Sequence, residues 1–352
     1  MLTLRLGAVA IAAAAALAAG AATAAVQDNA YSVHDLVADA AGAAPLTDAS
    51  LVNGWGLSAG PTTPWWVSDN ATNVSTLYNA GGAKQGLTVS VPGGPTGTVF
   101  NGAATDFVVS QGGKSGAARF LFATEGGQVL GWSPTVNGTT ALVGADSSAA
   151  GAVYKGLAVA NGRLYATDFH NGRVDVFDNA FKPVSLPFRD PKLPKGYAPF
   201  GIQALNGSIF VTYAKQDAAK KDDVAGGGAG YVDQFTPDGQ LVARVASGGR
   251  KNAPPNAPWG LALAPQGFGA FAGDLLVGNF GNGRISAYQD RGGGKWVYKG
   301  QLRRGDGTLI TIDGLWAIAF GNGAAAGPTT SLYFAAGPGG EAHGRFGAIT
   351  AG

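Results

Sequence analysis

Between Pro258 and Tyr288 the chain reads PWGLALAP, then a Gly/Phe-rich spacer, then GDLLVGNFGNGRISAY, which is apolar, turn-like and apolar again. The phrase returns at intervals of about fifty residues, the signature of a repeat architecture in which each unit buries its apolar face against the next. Its opening half, a short apolar strand entered through Gly or Pro, occurs as WGLSAG at Trp55, DFVVS at Asp106, KGLAVA at Lys155, FGIQAL at Phe200, WGLALA at Trp259 and WAIAFG at Trp316. The large apolar residues in these copies, Leu57, Phe107, Leu157, Ile202, Leu261 and Ile318, are separated by 50, 50, 45, 59 and 57 positions.

The second half is a strand, a polar turn and another strand. Its copies are WWVSDNATNVSTLYN, RFLFATEGGQVLGWS, GRLYATDFHNGRVDVFD, GSIFVTYAKQ with GGGAGYVDQFTPDG, GDLLVGNFGNGRISAY and SLYFAAGPGGEAHGRFGAIT. A further strand fits each interval, as in QGLTVSV at Gln85, QLVARVA at Gln240 and WVYKGQL at Trp296. Four strands in each of six repeats predict an all-β, six-bladed β-propeller. The 58 glycines agree, because many short strands need many tight turns.

The ends fit one closed domain over 26–352. The sixth copy runs to Gly352 with no room for a fourth strand, while Tyr31 to Val37 alternates like an isolated strand, so the 26–50 leader is expected to supply the strand closing the last blade. Blade four is interrupted at 215–230 by AKQDAAKKDDVAGGGAG. A charged run followed by glycines is a solvated loop on one reading and a lid or partner-contacting loop on the other.

Residues 1–25 read as an export signal. Arg5 precedes a run of mostly Ala from Leu6 to Ala19, and Ala22-Thr23-Ala24 offers a small-x-small cleavage site near Ala24 or Ala25. The run is shorter than the roughly 20 apolar residues that span a bilayer, so the mature chain is expected to carry no transmembrane anchor and to be periplasmic or extracellular. Cysteine is absent, which excludes disulfides, thiolate metal sites and a cysteine nucleophile. With 24 Lys+Arg scattered among 22 Asp+Glu, no nucleic-acid footprint is present.

PTGTVFN at Pro95, GAVYKGLA at Gly151, YAPFGIQ at Tyr197, VTYAKQD at Val211, NAPWGLALAP at Asn256, GDLLVGNFGNGRI at Gly273 and IDGLWAIAFGNG at Ile312 resemble an uncharacterised family of exported, mostly bacterial proteins. The resemblance covers nearly the whole mature chain and implies a propeller related to NHL-repeat and lactonase-type folds. Some members of that family end in a cell-surface sorting segment; this chain ends at ITAG, so release is expected. The resemblance implies no established reaction and no catalytic residue.

In a propeller the start of each innermost strand and the turn after the second strand lie around one mouth of the central channel. That rule places Asn53, Lys155, Asn256 and Glu341 on a channel face suited to an unidentified small molecule or protein partner. The oxygen-bearing residues Asp106, Glu125, Asp168, Asn279 and Asp313 form a candidate site for a divalent cation such as Ca²⁺, which would serve a hydrolase of lactones or esters. The alternative for these junction residues is local turn bonding. His170 and His343 each follow an acidic residue by two positions, a candidate acid/base arrangement on the one reading and idle turn histidines on the other. GLSAG at Gly56 matches a nucleophile-elbow pattern but lacks the helix that pattern requires. The sequence thus favours a binding module, with a metal-assisted hydrolase and a structural envelope protein as alternatives.

Overall fold

The computed structural model describes Leu2 and residues 28–352; the export-signal reading of 1–25 otherwise falls outside the described residues. Six antiparallel sheets follow one another around a central axis, each running from an innermost to an outermost strand. Blade one comprises Gly54–Ser58, Trp65–Asp69, Val74–Tyr78 and Lys84–Ser90. Blade three begins at Tyr154–Ala160, blade four at Tyr197–Leu205 and blade five at Pro258–Leu263. The second strands, such as Leu275–Asn279 and Leu332–Ala336, are buried along their whole length because both faces pack against neighbouring sheets. That burial explains their unbroken apolar runs. The outermost strand Lys84–Ser90 is half solvated and correspondingly polar.

Blade six consists of Leu315–Phe320, Leu332–Ala336 and Arg345–Ala351, and Tyr31–Ala38 adds antiparallel to its outer edge. The register runs from Tyr31 opposite Ala351 to Ala38 opposite Arg345, with an irregularity between Asp35 and Val37. Leu46–Thr47 adds a short parallel fifth strand. Tyr31 is buried against Phe268 and donates its hydroxyl to the Phe268 carbonyl at 3.0 Å, which ties this strand to blade five.

Blade two departs from the repeat alignment. Its innermost strand is Pro95–Phe100, not the DFVVS segment, and Val108–Gln111 instead pairs with Lys114–Ala117 in a separate hairpin. The deciding feature is a glycine. Gly56, Gly97, Gly156, Gly201 and Gly260 sit mid-strand where a Cβ would come within 3.0 Å of the next blade's backbone. Ala317 holds that register in blade six, with Trp316 and Ile318 on either side of it facing Gly260. DFVVS has neither Gly nor Ala for this crowded waist. The apolar pattern alone does not separate it from PTGTVF.

Candidate functional site

Five blades meet in one hydrogen-bonded relay at the mouth where the innermost strands begin. Lys155, the second residue of its strand, is only 1% exposed, and its Nζ donates to Glu125 Oε1 at 2.6 Å and to Asp222 Oδ1 at 3.2 Å. The same ammonium lies 4.8 Å from the centre of the Trp55 ring. Glu125 Oε2 accepts from Asn70 Nδ2 at 3.2 Å, and Asn70 Oδ1 accepts from Asn53 Nδ2 at 3.3 Å. Asn53 Nδ2 also donates to Glu341 Oε2 at 2.6 Å, while Asn53 Oδ1 accepts from the Trp316 indole at 2.9 Å.

The electrostatics of this ring are uneven. Burial works to raise the Glu125 carboxyl, but the Lys155 charge, the Lys155 hydrogen bond and the Asn70 amide hold it below its ordinary value. Glu341 is raised, first by burial and then by the charges of Glu125 and Asp222, against the pull of Asn53 and Lys155. Asp223 is pushed up to about 7 by burial, with Lys155 opposing and Glu341 and Asp222 adding. Backbone strain gathers here as well. Asn53 and Glu341 have φ of 50° and 70°, a region that is costly for a residue such as Glu, and Ala257 at the entry to blade five has φ of 45°.

Beneath the relay the channel is closed by aromatic rings. Trp316 is stacked between Trp55 at 3.7 Å and Phe280 at 3.8 Å, and Trp259 meets it edge-on at 6.1 Å. Above it lies the blade-four insertion. Gln216 Nε2 donates to the Phe169 carbonyl at 2.6 Å, Asp222 reaches Lys155, and the Gly226 N–H donates to Asn256 Oδ1 at 2.6 Å. The 215–230 segment is therefore laid across the mouth, touching blades three and five, rather than projecting into solvent as a free loop.

Of the channel-face residues expected from sequence, Asn53, Lys155 and Glu341 come together and Asn256 anchors the insertion. The five oxygen-bearing residues do not converge. Asp168 accepts from the Val153 and Asn171 backbone N–H groups and from Asn171 Nδ2, and Asn279 bridges Asn256 N and Arg284 O. Both are turn contacts. Asp313 accepts from Gly339 N, and Asp106 lies at the opposite end of the channel beside Asn179. Only Glu125 joins the relay, and the cation it meets is the chain's own Lys155 ammonium. Among the described residues no cluster of three or more His, Asp or Glu is arranged to hold a metal ion, so the residues present do not fit the proposed Ca²⁺ site.

The histidines also separate from the chemistry expected of them. His343 Nδ1 lies 2.9 Å from Asp39 Oδ2, a residue of the closing segment, rather than pairing with Glu341. The Asp39 carboxyl, which burial would raise, is held low by the Gly344 N–H and by His343. The His170 ring makes no hydrogen bond among the described residues and lies beside Gly151 at the blade-three turn. Sequence reading did not single out Asn70, nor Asp222 and Asp223, which it leaves inside the insertion. Asn70 directly follows a second strand, the same slot as Glu125, and that slot was the signal available.

No family model matches the chain. Two uncharacterised proteins of Acanthamoeba polyphaga mimivirus do match. One is 30% identical over 303 residues, covering 82% of this chain and 73% of the relative. The other is 32% identical over 286 residues, covering 77% and 74%. The chain belongs to the family of these viral proteins. A third mimivirus relative is longer: 32% identity over 233 residues spans 64% of this chain and 42% of that one. Among solved structures, a streptogramin B lyase matches with a TM-score of 0.52 at 10% identity, covering 92% of this chain and 98% of that one. A glucose dehydrogenase matches with a TM-score of 0.53 at 14% identity, covering 91% and 100%. A protein of unknown function from Bacteroides thetaiotaomicron gives 0.57 at 12%, covering 91% and 76%. These likenesses show the propeller fold.

Within this family member the two ends of the channel differ. The mouth just described is underlain by the stacked Trp55, Trp316 and Phe280 rings, whereas the far end opens to solvent below the glycine waist. Among the described residues no helix is long and apolar enough to cross a membrane.

Proposed function

We propose that the protein is an exported binding propeller that recognises a small polar ligand at the mouth framed by Asn53, Lys155, Asn256 and Glu341. The observation that carries this reading is the relay from Asp222 through Lys155, Glu125, Asn70 and Asn53 to Glu341, which spans five blades and includes two residues with left-handed backbone. Groups held in strained conformations with perturbed carboxyls mark sites where the fold serves a partner rather than itself. A donor-rich ligand such as a polyol or an amine matches Glu341 and Asp223, whose raised carboxyls gain from a hydrogen-bond donor or a positive group. Such a ligand would sit between the insertion and the relay, competing with the Asp222 contact to Lys155, which makes that segment the gate.

The hydrolase alternative needs an oxygen-ligated cation, and its candidate ligands are dispersed over turns and both ends of the channel. The binding reading is tested by thermal unfolding of the protein against a panel of polyols and primary amines. A hit that raises the midpoint in the wild type and not in Glu341→Gln is expected. An equal rise in both proteins, or none with any compound, sinks the reading; turnover of a lactone lost in the same variant would replace it with the hydrolase. Export is supported by Arg5 and the Ala-rich run that follows it. Chain recovered outside the cytoplasm is expected to begin at Ala25 or Val26 by mass, and an uncut chain retained inside the cell overturns that half of the proposal.

A further inference from the structure

The far end of the channel carries a different chemistry. Below the glycine waist the innermost strands splay around an open cavity of about 410 Å³, walled by Leu57, Val99, Phe100, Leu261, Leu263 and Phe320. Among the described residues no charged side chain lines it. Four polar residues do, and two of these are occupied. The Thr98 hydroxyl donates to Leu121 O at 3.1 Å. Asn322 Nδ2 donates to Gly60 O and Thr63 O at 2.7 and 2.9 Å, and its Oδ1 accepts from Ala324 N and Ala326 N at 2.9 and 3.0 Å. The remaining two are Ser58 and Gln203, half-buried side chains that make no hydrogen bond to another described residue. They belong to blades one and four, which face each other across a six-membered ring, so one free hydroxyl and one free amide stand on opposite walls of a chamber lined by apolar side chains and exposed backbone.

We propose that this cavity is a second binding site, taking an uncharged, mainly apolar small molecule with one amide-like or alcohol-like group. Its volume lies within the range of ligand clefts, and a few polar groups set in apolar walls are how such clefts orient a ligand. A charged ligand would give up its hydration with no counter-charge to meet it, which selects the neutral species. Gln203 offers both a donor and an acceptor, so a primary amide or a hydroxyl is satisfied there in a way a hydrocarbon is not. The site is independent of the mouth. The stacked Trp55, Trp316 and Phe280 rings lie between the two, and entry is from the opposite face of the disc.

The test is a fluorescence titration with N-phenyl-1-naphthylamine, an uncharged apolar probe, followed by competition with octanamide and with octanoate at pH 8. One probe per chain is expected, displaced by octanamide and at least about tenfold more weakly by octanoate. Gln203→Leu should weaken octanamide about threefold to tenfold while leaving the probe's own affinity within about twofold. Ala319→Trp, which places an indole on the cavity wall, should abolish probe binding. Undiminished probe binding in a folded Ala319→Trp protein overturns the proposal, as does octanoate competing as well as octanamide. Should Ala319→Trp not fold, Gln203→Leu decides: an unchanged octanamide affinity there also overturns it.

Discussion

Lys155 sets the electrostatic terms of the mouth. With its ammonium buried between Glu125 and Asp222, removing it leaves a largely buried carboxylate without a partner, and breaking such a pair costs more than the pair contributes. Lys155→Met is expected to lower the unfolding free energy by about 3 kcal/mol in urea titrations. Adding Glu125→Gln should restore more than half of that, because no unpaired charge then remains; a double variant no better than the single would assign the loss to packing on Trp55. Asp69 presents the opposite case. It is fully buried, Oδ2 accepts from Thr76 N at 3.0 Å, Oδ1 has no partner among the described residues, and burial drives its pKa well above the ordinary value. A carboxyl raised in the folded state stabilises below its unfolded pKa, and that stability is lost as pH rises toward the folded value. Asn279 fills the same slot in blade five, where its Nδ2 donates to Val277 O and Arg284 O. Asp69→Asn should find the matching carbonyls of Val67 and Val74, raise stability at pH 8 by about 1–2 kcal/mol and flatten the decline between pH 4 and pH 8. A steeper decline in the variant would mean that Asp69 is ionised in the fold.

At the scale of the element, the insertion is held by contacts of very different pH sensitivity. Gln216 and Gly226 are anchored by neutral hydrogen bonds, whereas Asp223 sits among Asp222, Glu341 and Lys155 with its pKa at about 7. Protonated Asp223 adds no repulsion, so closure is fully stabilised below the ordinary carboxylate range and weakens as pH rises from there to about 7. Tryptic cleavage at Lys220 and Lys221, measured at pH 6 and pH 8.5 relative to Asp223→Asn, should be faster for the wild type at both and by the larger factor at the higher pH. A ratio that does not change with pH removes Asp223 from the gate. The insertion also shows where sequence reading stops. Strand existence was legible in the second strands, because burial on both faces leaves continuous apolar runs such as LLVGN and LYFAA. The same logic misplaced blade two, where DFVVS is as apolar as PTGTVF and only the crowding at Gly97 separates them. Lys155, Asn53 and Glu341 were legible by position in the repeat. Asp222 was not, since its role depends on a loop folding back over a neighbouring blade, and nothing periodic records that. For Asp168 and Asn279 the metal-ligand and turn readings stayed side by side in the sequence, because a residue that caps its own turn has the composition of one that faces a ligand.

For the whole molecule, the quantity that closes the ring is the spacing between innermost strands. Six sheets can share one narrow waist only if each presents almost no side chain toward its neighbour, and the Gly56, Gly97, Gly156, Gly201, Gly260 and Ala317 register meets that condition. None of these glycines has positive φ, so the demand is for space and not for backbone freedom. A closed ring cannot relieve a clash at one waist position by moving one blade, since every blade is held on both sides. Gly260→Ala would press its methyl against Trp316 O and the Ile318 backbone and is expected to cost about 2–3 kcal/mol, the range for overpacking in a confined core. Gly86→Ala is the control. Gly86 lies on the outermost strand of blade one with nothing within 4 Å of its would-be Cβ, and there the lost unfolded-state entropy should leave stability unchanged or higher by up to about 1 kcal/mol. If the two substitutions prove equal in urea unfolding, the waist is looser than its backbone distances require, and the barrier between the mouth and the far cavity must rest on the aromatic rings alone.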